Sequence, residues 1–419
     1  GWVYVNHWPT RQFETARSIR RSVLHDRLAD AGACFGASSG WEYADWFAPE
    51  GVTPKGVQPV REYSFGRQNW FDYNAAEHKA AREEVVLFDM SFMSKFLVQG
   101  RDAEAVLNRI CANNVAVPVG RCVYTQWLNE RGTIEADLTV TRLEKDLFLV
   151  VTADYTHNHV DAWLRRHIPP GAHAIVTDVT SAYTMLSLQG PRSRELLGRL
   201  TGTDLSNEAF PFLSLQEIDL GYALVKALRL TYVGELGWEL YIPTEFALYV
   251  HGELHQAGRD LGLRNAGLQT LNTLRIEKAY REMNLDIDAE ENPLGAGLGF
   301  AVDWKKAGGF IGKEALLQQK EGGPLSRRLV QFLLQDPEPL LYHGEPIYYE
   351  GQTVGYIASA GYGHTLGGAV GLGYVDYPTG VTPDMVRQGA FEIDVAGRHY
   401  AATASLRPMY DPKNERVRC

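Results

Sequence analysis

LNERGTIEADLTVTRL, Leu128–Leu143, holds a turn, a strand and a carboxylate in one short stretch. Asn129–Gly132 has the polar and glycine content of a tight turn. Ala136–Thr141 then reads as a strand. Asp137 sits inside this apolar run, flanked by Leu138 and Val140. A carboxylate there either faces solvent from a half-buried strand or is held in a pocket. Thr139, two residues on, points to the same side. A second stretch, LTYVGELGWELYIP (Leu230–Pro243), repeats the arrangement. A glycine turn precedes a strand, Trp238–Ile242, which carries Glu239, with Tyr232 seven residues earlier. For either carboxylate alone, the outward face of a strand is the plainer reading.

Outward from these stretches the chain alternates helices and strands. The patterning predicts helices at Glu77–Val86, Phe246–Ala257 and Gln269–Tyr280. It predicts another at Asp102–Ile110, capped by Asp102. Strands are expected at Lys95–Val98, Tyr124–Leu128 and Leu147–Val151. After Arg328 short strands separated by Gly and Pro follow one another, the texture of a small barrel or sandwich. At the other end, Arg17–Ala31 has helical periodicity and should stop at Gly32. The aromatic cluster from Cys34 to Phe47 reads as a hydrophobic anchor against a neighbouring domain. Pro49–Pro59 reads as a linker. The fold class is therefore α+β, and 419 residues suit two or three domains.

Composition closes off several functions. With 51 acidic against 41 basic residues, the net charge of −10 argues against a nucleic-acid partner or an anionic membrane surface. No apolar run approaches the roughly 20 residues of a membrane span, and the opening residues lack the shape of a signal peptide. The four cysteines show no CxxC spacing, which suits a reducing compartment, cytoplasmic or mitochondrial-matrix. Neither GxGxxG nor GxxxxGK[ST] occurs in its proper context. GxSxG and HExxH are absent. His157 and His159 have no third ligand suggested nearby, so no metal site is expected.

Seven segments in order resemble the aminomethyltransferase family of the glycine cleavage system. They are VVLFDMSFMSKFLVQGRDA (Val85–Ala103), the stretch from Leu128, LSLQGPRSRELL (Leu186–Leu197), the stretch from Leu230, LRIEKAYR (Leu274–Arg281), ENPLGAGLGFAVDWKKAGGFIGKEAL (Glu291–Leu316) and RPMYDP (Arg407–Pro412). The leading segment, Arg20–Phe47, resembles the connection that joins a flavin amine dehydrogenase to such a module in sarcosine and dimethylglycine dehydrogenases. The resemblance implies a three-domain cloverleaf. Residues 1–58 would form the connector, 59–325 the folate-binding region in two subdomains, and 326–419 a C-terminal β-barrel. FAD is expected only in an absent upstream domain or a partner subunit.

The same resemblance implies tetrahydrofolate as the cofactor and a small-molecule one-carbon donor, with 5,10-methylene-tetrahydrofolate as product. Asp137 matches the family's catalytic aspartate beside the reacting nitrogens, where a carboxylate takes a proton and stabilises a cation. At an ordinary pKa of about 3.9 it would be ionised without tuning. Thr139 could hydrogen-bond the ligand. Glu239 matches the glutamate whose two oxygens meet the adjacent donors of the pterin. Tyr232 and Tyr410 match tyrosines approaching the same tunnel. Ala153 and Leu271 stand where the glycine-cleavage branch carries Asn and Arg, which points to the amine-dehydrogenase branch. Arg275 and Glu277 read as structural. Three functions remain open: capture of formaldehyde or an iminium from oxidative N-demethylation, a stand-alone folate-dependent demethylase, and a non-catalytic regulatory subunit.

Overall fold

The structure is a computed structural model that describes residues 7–12, 15, 17–49 and 60–419. The expected linker, apart from Pro49, and the expected boundary at residue 58 fall outside the described residues. A hairpin of β1 (Ala33–Ser38) and β2 (Trp41–Phe47) comes first. One sheet then runs in the order β5 (Cys122–Leu128), β6 (Ile134–Glu144), β7 (Leu147–Thr152), β4 (Ser94–Gln99), β8 (Ile175–Asp178). A second sheet has the order β10 (Leu215–Leu220), β11 (Ala223–Leu228), β12 (Gly237–Pro243), β9 (Tyr183–Gln189), β3 (Val86–Asp89), β13 (Arg264–Asn265).

Period-two alternation sorts the side chains of each sheet. In the first sheet Trp127, Leu138, Val140 and Val150 face outward onto the helices Ala103–Ile110 and His157–Arg166. In the second, Leu186, Leu188, Trp238 and Leu240 face outward onto Leu196, Val250 and Leu254 of two further helices. The opposite faces meet each other over a shared apolar layer that includes Phe88, Cys122, Leu149, Val151, Met185 and Tyr241. Asp137 and Glu239 belong to these inner faces. Their direction follows from register, because Thr139 pairs with Tyr124 and Val151, and Glu239 with Leu228 and Ser187.

The C-terminal part is a closed barrel of β14 (Arg327–Leu334), β17 (Gly368–Asp376), β16 (Gln352–Gly363), β15 (Pro346–Tyr349), β18 (Phe391–Val395) and β19 (Arg398–Ser405). β14 closes it by pairing with both β17 and β19. Closure leaves no free sheet edge. A bend at Gly355 needs the glycine, since a Cβ there would lie 1.9 Å from the Tyr374 carbonyl oxygen. The barrel docks on the helix Leu268–Glu277. Gln331 Nε2 donates to the carbonyls of Ile276 at 2.7 Å and Glu277 at 3.0 Å, groups a helix end leaves without intrahelical partners.

Several local expectations change. The first helix is confined to His25–Asp30, because the Arg20 backbone pairs instead with the strand region. Its amide donates to Gly40 and its carbonyl accepts from Glu42, both at 2.9 Å. Gly32 does end that helix, at φ +86. The helix expected at Glu77–Val86 runs Phe71–Glu83, and Val86–Asp89 pairs in a sheet. Asp102 does not cap its helix; its carboxylate accepts the His173 amide at 2.6 Å. The aromatic cluster forms the hairpin, whose Ala44 and Phe47 join the core under the second sheet. Buried Glu77 pins it there, accepting the amides of Phe47 and Gly267, each at 2.9 Å.

Candidate functional site

Asp137 projects from β6 between the two sheets. Gln126, directly opposite on β5, donates its side-chain amide to Asp137 Oδ1 at 2.7 Å. Tyr124, one pleat along the same face, also hydrogen-bonds the carboxyl group. Burial pushes the Asp137 pKa up to about 6, against the opposing pull of Gln126, Tyr124 and the Arg281 charge. This corrects the expectation of an untuned aspartate. The group remains largely ionised at neutral pH, but as a stronger base.

Asp137 and Tyr124, on the inner face of the first sheet, and Tyr232 and Arg281, joined through the Tyr232 hydroxyl, are half-buried rather than closed off. We take the space they share between the sheets as the candidate chamber. Tyr232 reaches it from the segment before β12; its hydroxyl donates to the Arg281 carbonyl at 2.8 Å and its ring stacks on Tyr280. Thr139 shares the face of Asp137 and is half-buried.

Glu239 lies on the facing sheet. Its Oε2 accepts the Tyr241 hydroxyl at 2.7 Å, and Oε1 accepts no hydrogen bond from the described residues. Burial raises its pKa to about 7, opposed by the Tyr241 hydrogen bond and the charge of Lys95. Lys95, fully buried on the inner face of β4, donates to the carbonyls of Ser91 at 3.0 Å and Met93 at 2.6 Å. A recessed carboxylate with one oxygen unsatisfied, set in an aromatic and apolar wall, is complementary to a planar ring that offers N–H donors.

Tyr410 is held differently from the other four predicted residues. Its hydroxyl donates to Glu235 Oε1 at 2.5 Å, and the Arg82 guanidinium lies 3.8 Å over its ring. Arg82 in turn pairs with Glu235 at 3.0 Å and Glu277 at 2.8 Å. Arg275 pairs with Asp286 at 2.5 Å in full burial, so Arg275 and Glu277 hold elements together. His157 and His159 engage Ser94 and Glu135 respectively. Ala153 precedes the short turn before the helix His157–Arg166 and caps nothing with its side chain. Leu271 and Glu282 line a cavity of about 260 Å³ between the hairpin, the helix Leu268–Glu277 and the barrel.

Sequence reasoning missed Lys95, Tyr124 and Arg281. Lys95 and Tyr124 stood in predicted strands, and period-two counting from a facing partner would have put them inside. Arg281 closes the LRIEKAYR segment just past a helix, where no period tells which way a side chain turns.

Residues 24–306 match the GCVT N-terminal domain, and residues 327–411 the glycine cleavage T-protein C-terminal barrel domain. The chain is 44% identical over 418 residues to the 4-methylaminobutanoate oxidase (formaldehyde-forming) of Paenarthrobacter nicotinovorans, an alignment covering 100% of this chain and 49% of that protein. It is 36% identical over 421 residues to the mitochondrial pyruvate dehydrogenase phosphatase regulatory subunit of Mus musculus, covering 97% of this chain and 48% of that one. The chain thus spans about half the length of these curated relatives. The glycine cleavage system aminomethyltransferase T from Bartonella henselae shares the fold at a TM-score of 0.78 and 25% identity, over 94% of this chain and 99% of that one.

Proposed function

Because this chain belongs to the glycine cleavage T-protein, or aminomethyltransferase, family, we propose that its chamber binds tetrahydrofolate and loads it with a one-carbon unit to give 5,10-methylene-tetrahydrofolate. The observation that carries this reading is the pair of recessed carboxylates, Asp137 and Glu239, on facing sheets of one interior. Glu239, with Oε1 unsatisfied, would take the donors of the pterin. Tyr232 and Thr139 would line the ligand, and Tyr410 would approach it with its half-exposed ring.

Tetrahydrofolate, when bound, supplies the amine nitrogens that accept the carbon. Asp137 accepts a proton at its carboxylate, a role for which a pKa of about 6 is better matched to neutral pH than an unperturbed one. The same negative charge stabilises positive charge developing beside it, and the surrounding protein lowers the dielectric in which it acts. Gln126 and Tyr124 fix the orientation of the carboxyl group.

The donor in this reading is formaldehyde or an iminium released by flavin-dependent N-demethylation of a carboxylate-bearing amine, in a further domain or a separate subunit. The name and the length of the 4-methylaminobutanoate oxidase support this source. Among the described residues no helix is long and apolar enough to cross a membrane, and the proposed compartment is the cytoplasm or the mitochondrial matrix. The name of the murine relative keeps a regulatory reading in view. Folate-dependent disappearance of formaldehyde, corrected for the uncatalysed reaction, separates the two. The enzyme reading expects the chain to accelerate product formation and Asp137→Asn to abolish the acceleration. Tight folate binding with no acceleration would favour the regulatory role.

A further inference from the structure

The cavity of about 260 Å³ beside the helix Leu268–Glu277 has two carboxylates in its lining, Asp45 and Glu282. They are held very differently. Asp45 is buried and engaged by Arg61, whose Nε donates to Oδ2 at 2.7 Å while Nη2 lies 2.6 Å from Oδ1. The Glu282 carboxylate is half-buried and accepts no hydrogen bond from the described residues; its one cation within 4 Å is Arg275, whose Nη2 lies 3.5 Å away. Arg275 is committed elsewhere. Its Nη1 pairs with Asp286 at 2.5 Å, and its Nη2 donates to Ser359 Oγ at 3.0 Å. Asp286 is completed by the Ser359 hydroxyl at 2.5 Å and the Glu282 backbone amide at 2.9 Å.

Formal charges in this wall therefore do not cancel. Asp45 and Arg61 make one neutral pair, Arg275 balances Asp286, and Glu282 is left over. His343, the other basic side chain of the lining, meets the Pro9 carbonyl. A carboxylate withdrawn from water without hydrogen bonds is costly unless a cation joins it. Aromatic rings share the wall: Tyr43 from the hairpin, and Tyr63 packed edge to face on Trp70 at 5.2 Å and on Tyr342 at 5.4 Å. Aromatic surfaces with a nearby carboxylate suit alkylated ammonium ions. The volume lies below that of sites for drug-sized ligands and fits a cation of a few heavy atoms.

The cavity also adjoins the candidate chamber. The peptide carbonyl just before Glu282, that of Arg281, accepts the Tyr232 hydroxyl at 2.8 Å. Leu271 lines the cavity and belongs to the apolar layer between the two sheets. We propose that this cavity is a binding site for a small N-alkylated ammonium or iminium ion, held by Glu282 among the aromatic rings. The site rests on the one-carbon reading only in the purpose it gives the cation: an iminium donor, unlike neutral formaldehyde, carries the charge that Glu282 selects.

The probe is trimethylammonium chloride, followed by saturation transfer from the full chain to its methyl protons at fixed ionic strength. Uncharged 2-propanol, of similar size, is the comparison. Saturable binding of the cation is expected, with 2-propanol at least about tenfold weaker and Glu282→Gln weakening the cation by about tenfold or more. Leu285→Lys, which adds a positive charge from an exposed position in the same lining, should have the same effect and serves if Glu282→Gln fails to fold. Equal binding of the two probes, or cation binding unchanged in the variant, overturns the inference. Calorimetry with tetrahydrofolate on the same wild-type protein reports separately on the one-carbon reading. Cation binding intact with no folate bound would sink that reading and leave this site standing.

Discussion

Tyr241 donates its hydroxyl to Glu239 from two residues further along the same strand, at 2.7 Å. The spacing puts both side chains on the inner face of β12. Tyr241 thereby occupies one carboxylate oxygen and leaves the other without a hydrogen bond from the described residues. Glu239→Ala is expected to weaken tetrahydrofolate binding by about 2–5 kcal/mol, the scale for stranding buried donors that met a carboxylate. Calorimetry should show one site per chain in the wild type, and an unchanged affinity in the variant would remove Glu239 from the site.

The pH dependence of binding follows from the same pair. Burial holds Glu239 up at about 7, with the Tyr241 hydrogen bond acting in the opposite direction. If the carboxylate form meets the ligand's donors, affinity falls as pH drops through that value. Tyr241→Phe removes the opposing hydrogen bond, so the midpoint moves higher and affinity at pH 7 falls, returning at alkaline pH. Parallel binding curves at all pH values would contradict this.

Asp137→Asn keeps the size and the Gln126 contact but removes base and charge. A rate loss of roughly 10²–10⁴ in one-carbon capture is expected, the usual scale for a general base. Affinity for folate should change far less, because the interaction strengthens only as charge develops. Equal losses in affinity and rate would make Asp137 a binding residue.

Tyr410 separates two contributions. Tyr410→Phe removes the hydroxyl that meets Glu235 and should lower stability by about 1–2 kcal/mol, toward the low end for hydrogen bonds to charged groups. Its ring remains, so folate affinity should hold. Tyr410→Ala should lower both. Denaturant unfolding and calorimetry read the two effects, and full affinity in Tyr410→Ala would place the ring outside the ligand's reach.

Arg82 is the hub of a buried ion network, and Arg82→Met should destabilise the fold by about 3–5 kcal/mol by leaving Glu235 and Glu277 without it. Burial opposes ionisation of Glu277, yet the hydrogen bond and charge of His78, with Arg82, hold its pKa at about 2. A depressed carboxylate stabilises the folded state above its unfolded value near 4.5 and loses that contribution as pH falls toward 2. Wild-type stability should therefore fall across that window, and Arg82→Met should show a shallower fall. Equal slopes in the two proteins would remove Arg82 from the control of Glu277.

Local pattern by itself determined the α+β class, the strands carrying Asp137 and Glu239, and the shared side of Asp137 and Thr139. Those features depend on hydrogen-bond geometry within a few residues, and a period of two or 3.6 is written in the order of side chains. The order of the seven segments pointed to the family and to a barrel-like tail. The sequence could not say that the inner faces of two sheets, one bearing Asp137 and the other Glu239, would close on each other. That depends on which apolar face each helix covers, a matter of packing between segments about a hundred residues apart. The raised pKa of Asp137 arises from the same closure, since burial is a property of the assembled fold and not of the residue. Arg17–Ala31 kept its helical period only in part because Arg20 found a strand partner at Trp41. The resemblance of the RPMYDP segment singled out Tyr410, but its partner Glu235 comes from the chain path, a C-terminal return that joins residues 175 apart in sequence. No local period encodes such a contact.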